Sequence, residues 1–167
     1  MKKYILYTAA LMAITISSCR KIETDGEIQV VVVNGGGGGT PTAQTITLQG
    51  RINADTVLRK ANSYILKGIV YMVGNHTMTI EPGTVIKGAF SGTDVAALVI
   101  TRGSKIIAAG TATDPIVFTS LSPNPQSGDW GGIVLCGKAG YNLSYNGTAG
   151  LYQVEGGIDN ANGDGLA

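Results

Sequence analysis

Side chains that could carry out chemistry are sparse in this chain. Glycoside cleavage needs two carboxyl groups facing each other about 5–9.5 Å apart. There are 11 Asp and Glu residues in 167, and in the central region the candidates are Glu81, Asp94 and Asp114. Asp94 and Asp114 stand 20 positions apart, in the turn-like runs Gly92-Thr93-Asp94 and Ala112-Thr113-Asp114. Asp114 precedes Pro115, a place where an Asp side chain bonds its own backbone and shapes a turn. His76 is the single histidine, in the polar run Gly74-Asn75-His76-Thr77, with no His, Cys or acid at ligand spacing. One imidazole does not make a metal centre. No catalytic residue is assigned.

Binding has more to work with. Trp130 lies in Gly128-Asp129-Trp130-Gly131-Gly132, and Tyr141, Tyr145 and Tyr152 follow in a segment rich in Gly and Asn. An exposed indole or phenol ring can stack on a sugar. The competing reading of Trp130 is an indole packed over the edge of the fold with its N–H satisfied. Near the end, Asn160, Asn162 and Asp164 have the 1-3-5 spacing of a calcium loop, with Gly165 at the sixth place. The first ligand is Asn, however, and position 12, which such loops fill with a bidentate Glu, lies beyond Ala167. Asn-Gly-Asp-Gly is also ordinary turn chemistry. Calcium is the only cofactor with any sequence support.

These residues must be positioned by strands. Short β-prone pieces run through the chain: Thr45 to Leu48, Tyr64 to Leu66, Ile69 to Val73, Met78 to Ile80, Thr84 to Ile86, Ala97 to Ile100, Lys105 to Ala108, Ile116 to Phe118 and Ile133 to Leu135. Gly, Pro, Asn or Asp separates them, as strands bounded by turns require. No helical periodicity is sustained. The phrase Thr79 to Gly88, TIEPGTVIKG, returns 20 positions later as Val99 to Ala108, VITRGSKIIA. A repeat near 20 residues with a turn glycine in each copy marks a chain that coils and stacks on itself. Stacking at that step predicts Ile100 over Ile80, Ser104 over Thr84, Thr101 over Glu81 and Asp114 over Asp94. A β-sandwich would have no reason to repeat the phrase.

The ends read differently. Lys2 and Lys3 precede an apolar run from Tyr4 to Ile16, too short to span a bilayer, which takes about 20 apolar residues. Ile16-Ser17-Ser18-Cys19 resembles a bacterial lipobox, which implies cleavage before Cys19 and acylation of it. Several acyl chains anchor stably, at about 0.8 kcal/mol per buried CH₂. The reading is therefore a leader over 1–18, a flexible Gly-rich tether over 19–43 and a single β domain over 44–167. The tether contains five consecutive glycines, Gly35 to Gly39, after a β-prone run, Ile28 to Val33, that either pairs with a neighbouring strand or stays free. The net charge of +1, near −1 once Lys2 and Lys3 leave with the leader, offers no footprint for nucleic acid. With Cys19 lipidated, Cys136 has no disulfide partner and reads as a buried small hydrophobe.

The phrases LKGIVYMVGNHTMTIEPGTVIKG, ALVITRGSKIIAAGTATDPIVFTS and GDWGGIVLCGKA resemble, in that order, the N-terminal part of Bacteroidota surface lipoproteins built on a right-handed parallel β-helix. The resemblance covers roughly residues 45–157. It implies a pectin-lyase-like solenoid, an outer-membrane location at the cell surface and further coils beyond the last residue. Three functions stay open. The leading one is a lipid-anchored β-helix that binds or displays, with polysaccharide or a host or neighbouring cell surface as partner. The second is a polysaccharide lyase or glycoside hydrolase whose catalytic rungs lie past residue 167. The third is a stalk without a ligand.

Overall fold

The computed structural model describes residues 31–32, 43–140, 142, 144–145, 147–150, 152–154 and 158. The strands in chain order are β1 (Val31–Val32), β2 (Thr45–Ile52), β3 (Thr56–Leu58), β4 (Ser63–Met72), β5 (Thr77–Ile80), β6 (Val85–Gly88), β7 (Ala97–Ile100), β8 (Lys105–Ile107), β9 (Val117–Ser120), β10 (Ile133–Leu135), β11 (Ser144–Tyr145) and β12 (Thr148–Ala149). Apart from the antiparallel pairs β1–β2 and β11–β12, every pairing is parallel and joins strands of successive turns of the chain. That is a parallel β-helix.

The coil has three faces. The first contains the start of β2, the start of β4, then β6 and β9. The second contains the ends of β2 and β4, then β7 and β10. The third is the separate sheet β3-β5-β8. Early rungs run through the first two faces in one long strand. Later rungs split that strand in two around a loop.

The stacking step differs from the one the repeated phrase predicts. Ser63 lies 18 positions after its neighbour Thr45, Met78 lies 22 after Thr56, Lys105 lies 28 after Thr77, and Ile133 lies 35 after Leu98. Ile80 and Ile100 are on different faces, with Ile80 beside Leu58 and Ile100 beside Met72. Ser104 is not over Thr84, Thr101 is not over Glu81, and Asp114 is not over Asp94. The two phrases share a local device. Thr84 N–H donates to Glu81 O (3.3 Å) and Ser104 N–H to Thr101 O (2.9 Å). The third residues of these turns, Gly83 and Gly103, have φ of 81° and 92°, the left-handed conformation that such a turn reserves for glycine. One turn chemistry serves two different corners.

Side chains alternate across each strand. The inward ones form columns, Ile46–Tyr64–Ile86–Phe118 and Leu48–Leu66–Gly88–Ser120 on the first face and Ile52–Met72–Ile100 on the second, where the register continues to an exposed Leu135. Leu48, Ile52, Leu58, Leu66, Met72, Met78 and Ile86 are buried in one cluster, each worth about 1.5–3 kcal/mol. Tyr64 keeps its hydroxyl satisfied there by accepting from Arg59 N–H at 2.7 Å. A second cluster lies on the outside of the second face, where Tyr71, Val73, Val99 and Cys136 are covered by Ile158 and flanked by Val134 and Val154. Cys136 is thus buried among apolar side chains, as its apolar run predicts. In the segment read as tether, Val31 and Val32 pair with Thr47 and Ile46. Residues 1–18 and the rest of 19–42 lie outside the described residues.

Candidate functional site

Three corners join the faces, and each treats its side chains differently. The first corner, from first to second face, lengthens along the chain. It passes through Gly50 in the first rung and Lys67-Gly68 in the next, then widens to residues 89–96 and finally 121–132. The second corner stays short, at residues 53–55, 73–76 and 101–104. The third stays short twice, at 59–62 and 81–84, then opens to 108–116.

Among the exposed apolar side chains, Phe90 (40% exposed), Val95 (42%) and Leu121 (37%) lie at the first corner, while Val57, Ile107 and Leu135 are exposed on strands away from it. Ala96 N–H donates to Ala89 O at 2.8 Å and so pins the ends of the 89–96 loop. Leu121 N–H donates to Gly88 O at 2.8 Å, which brings the later loop alongside. Trp130 ends that later loop and turns inward. A Cβ on Gly88 would lie 2.6 Å from its Cδ2, and Trp130 packs against the main core. Gly88 occupies the column position that Leu66 and Leu48 fill one and two rungs earlier. The indole therefore fills the volume a leucine would take. Asp129 sets the approach by accepting from Gln126 N–H at 3.0 Å. That bond, with help from Ser120, holds its carboxyl below the usual carboxylate range.

The third corner carries Glu81 and Asp114, two of the three carboxylates that the sequence offers for catalysis, and each is tied to a cation. Glu81 pairs with Arg59 at 3.3 Å and accepts from Lys60 N–H at 3.0 Å. Asp114 pairs with Lys60 Nζ at 3.3 Å and its carbonyl accepts from Gly83 N–H at 3.0 Å. Asp114 N–H in turn donates to Thr111 Oγ1 at 2.9 Å, so the threonine side chain shapes this turn, while the Asp114 carboxylate goes to Lys60 and not to its own backbone as its place before proline suggests. Asp94 belongs to the first corner, paired with Lys67 at 3.2 Å. These are exposed pairs, worth about 0–1 kcal/mol each.

The second corner holds buried hydroxyls and the histidine. Thr101 Oγ1 donates to Met72 O at 2.7 Å from a buried position. Asn75 has φ of 63° and follows Gly74 at 69°, a pair of positive φ values that Gly and Asn supply. His76 Nδ1 lies 3.3 Å from Asp55 Oδ1, which also accepts from Thr77 N–H at 2.8 Å. The Thr77 bond first, and then His76, lower the Asp55 carboxyl from its usual range. The sequence reading found no partner for His76, because Asp55 is one full rung earlier. Burial raises the Cys136 thiol, partly offset by the charge of Arg102.

Among the described residues no three His, Cys, Asp or Glu side chains come together in a group that could hold a metal. Of the aromatic candidates, Trp130 is half-buried and Tyr152 is 41% exposed. Tyr145 lies in β11, and its side chain is outside the described residues, as are Tyr141, Asn160, Asn162, Asp164 and Cys19. The sequence reading passed over Phe90 and Val95. Their signal is the widening gap between strands of the first and second faces, which a fixed step of 20 conceals. Residues 50–166 match the family model described as a pectate-lyase like beta helix domain. No match is found among curated proteins or among solved structures.

Proposed function

We propose, on the premise that this chain belongs to the family of pectate-lyase-like β-helix domains, that it is a lipid-anchored cell-surface protein whose first corner binds glycan. The observation that carries the binding reading is the growth of the first corner at each successive rung. A solenoid that only spaces other parts has no need to lengthen a connection from rung to rung, and loops held on a rigid scaffold are where binding residues concentrate. The lengthened loops present Phe90 and Val95 to solvent and anchor themselves through Trp130. Phe90 supplies the apolar face on which a sugar ring stacks, and Trp130 fixes the loop that borders it. Anchoring rests on the Ile16-Ser17-Ser18-Cys19 run, with the outer membrane as location and polysaccharide or a neighbouring cell as partner.

A glycan array read with the wild-type chain, Phe90→Ala and Trp130→Ala tests the binding reading. Phe90→Ala is expected to abolish glycan signal while leaving the melting temperature near that of wild type. Equal glycan signal in wild type and Phe90→Ala overturns the assignment. Membrane fractionation of Cys19→Ala tests the anchor, which fails if the variant stays membrane-bound like the parent.

A further inference from the structure

The two longest loops of the first corner are fastened to each other at both ends. Leu121 N–H donates to Gly88 O at 2.8 Å where the loops begin, and Gly131 N–H donates to Ala96 O at 2.7 Å where they finish. The ends of 121–132 therefore rest on the ends of 89–96, the loop that presents Phe90 and Val95. The charge in these loops is one-sided. They contain two ionisable side chains, Asp94 and Asp129, and no Lys, Arg or His.

Asp94 closes the short 3₁₀ turn Gly92–Asp94, four residues after Phe90, with its N–H donating to Ser91 O at 3.3 Å. Its carboxylate is met from the rung below by Lys67 Nζ at 3.2 Å, so that ammonium is already committed. Asp129 stands two residues before the fastening at Gly131, and its carboxylate accepts from Gln126 N–H at 3.0 Å. That bond first, and then one from Ser120, favours its ionised form. Two carboxylates against one ammonium leave the loops negative. Lys87 lies outside them, on the flat of the first face between Ile65 and Thr119. The same loops expose neutral polar groups, the hydroxyls of Ser91 and Thr93 and the amide of Asn124. A neutral sugar suits this surface: its C–H face lies on an aromatic ring, and its hydroxyls donate to amide, hydroxyl and carboxylate oxygens. A uronate or a sulfate ester brings a negative charge instead, which Asp94 and Asp129 repel. Such a repulsive element discriminates between ligands whose remaining contacts are the same.

We propose that the first corner takes neutral glycans and rejects acidic ones, with Asp94 and Asp129 as the residues that decide between them. The proposal rests on the glycan reading of Phe90. The purified full chain is tested on immobilised glucan, mannan and galactan oligomers, each beside its C6-oxidised uronate and its sulfate ester. Binding to neutral members is expected, with the charged counterpart of each at least about tenfold weaker. Asp94→Asn with Asp129→Asn keeps an oxygen to accept from Gln126 N–H and is expected to shrink that gap to about twofold. Retained binding of the neutral members shows that this variant folds. Raising salt from about 0.05 M to about 0.5 M is expected to narrow the gap in the parent, because exposed charges are screened. Lys87→Gln is expected to leave the gap unchanged. Charged members bound as tightly as neutral ones, with Phe90→Ala abolishing both, overturn the proposal and keep the glycan reading. A gap that neither the double variant nor salt narrows also overturns it. Binding to no member, or equal binding by Phe90→Ala, removes the glycan reading itself and this proposal with it.

Discussion

The first and second corners turn the same chain between neighbouring faces, yet they are built on opposite terms. The second corner keeps nearly the same length in each rung, and its side chains bond inward: Thr101 to Met72 O, and Asp55 to the next rung through Thr77 N–H. The first corner grows to residues 121–132, and most of its side chains face solvent, while Ala89 and Ala96 at the ends of one loop and Trp130 in the next lie on the core. A corner whose polar groups are consumed by its neighbours cannot lengthen without leaving buried donors and acceptors unpaired. A corner closed by a single backbone pair, such as Ala96 N–H to Ala89 O, can lengthen at small entropic cost. The difference separates scaffold from surface within one coil.

The comparison breaks most visibly at Trp130, a large first-corner side chain that behaves as scaffold. Trp130→Ala opens the space over Gly88 and is expected to cost about 3 kcal/mol, read as a drop in the urea midpoint. If stability is unchanged, the indole does not fill the core column. Next in size is Gly103→Ala at the second corner. Alanine at φ of 92° is strained and meets the Asn75 side chain, so a loss of about 2 kcal/mol is expected. Excision of residues 91–94 from the first corner should move stability by less than about 1 kcal/mol, since it removes one exposed ion pair and a stretch of solvated loop. A large loss there would erase the distinction between the corners.

The smallest effect concerns Asp55 and depends on pH. Its carboxyl is held below the usual range in the folded chain, so the folded state favours the ionised form. Its stabilisation is complete above the unfolded carboxylate pKa and fades as pH falls through the lower folded value. Asp55→Asn should therefore lower the melting temperature slightly at neutral pH and not at all in strong acid. Parallel curves for the two proteins across that range would remove the contact with Thr77 and His76 from the account.

Much of the architecture was legible in the residues. Ala97 to Ile100 and Ile133 to Leu135 are strands as read. Thr56–Leu58 escaped notice because a three-residue strand between Asp55 and Arg59 has too few alternations to show a period. The stacking step escaped for a different reason. TIEPGTVIKG and VITRGSKIIA are alike because each contains a turn with glycine at a positive φ, and local turn chemistry says nothing about which rung lies above. Register follows from loop lengths, and these are free to vary at the first corner.

The lengthening step between rungs also bears on how the chain folds. Neighbours in the first rungs are 18 positions apart and in the last 35, about one doubling. Closing the longer loop costs about 0.6 kcal/mol more, which makes it roughly threefold less frequent. The nucleus is therefore expected where β2 meets β4, with later rungs zipping on in chain order. Truncations at Leu48 and Leu66 should then slow folding, whereas truncation at Leu98 should chiefly speed unfolding. The coil has a kinetic direction, and the corner that widens to face solvent is the one that sets it.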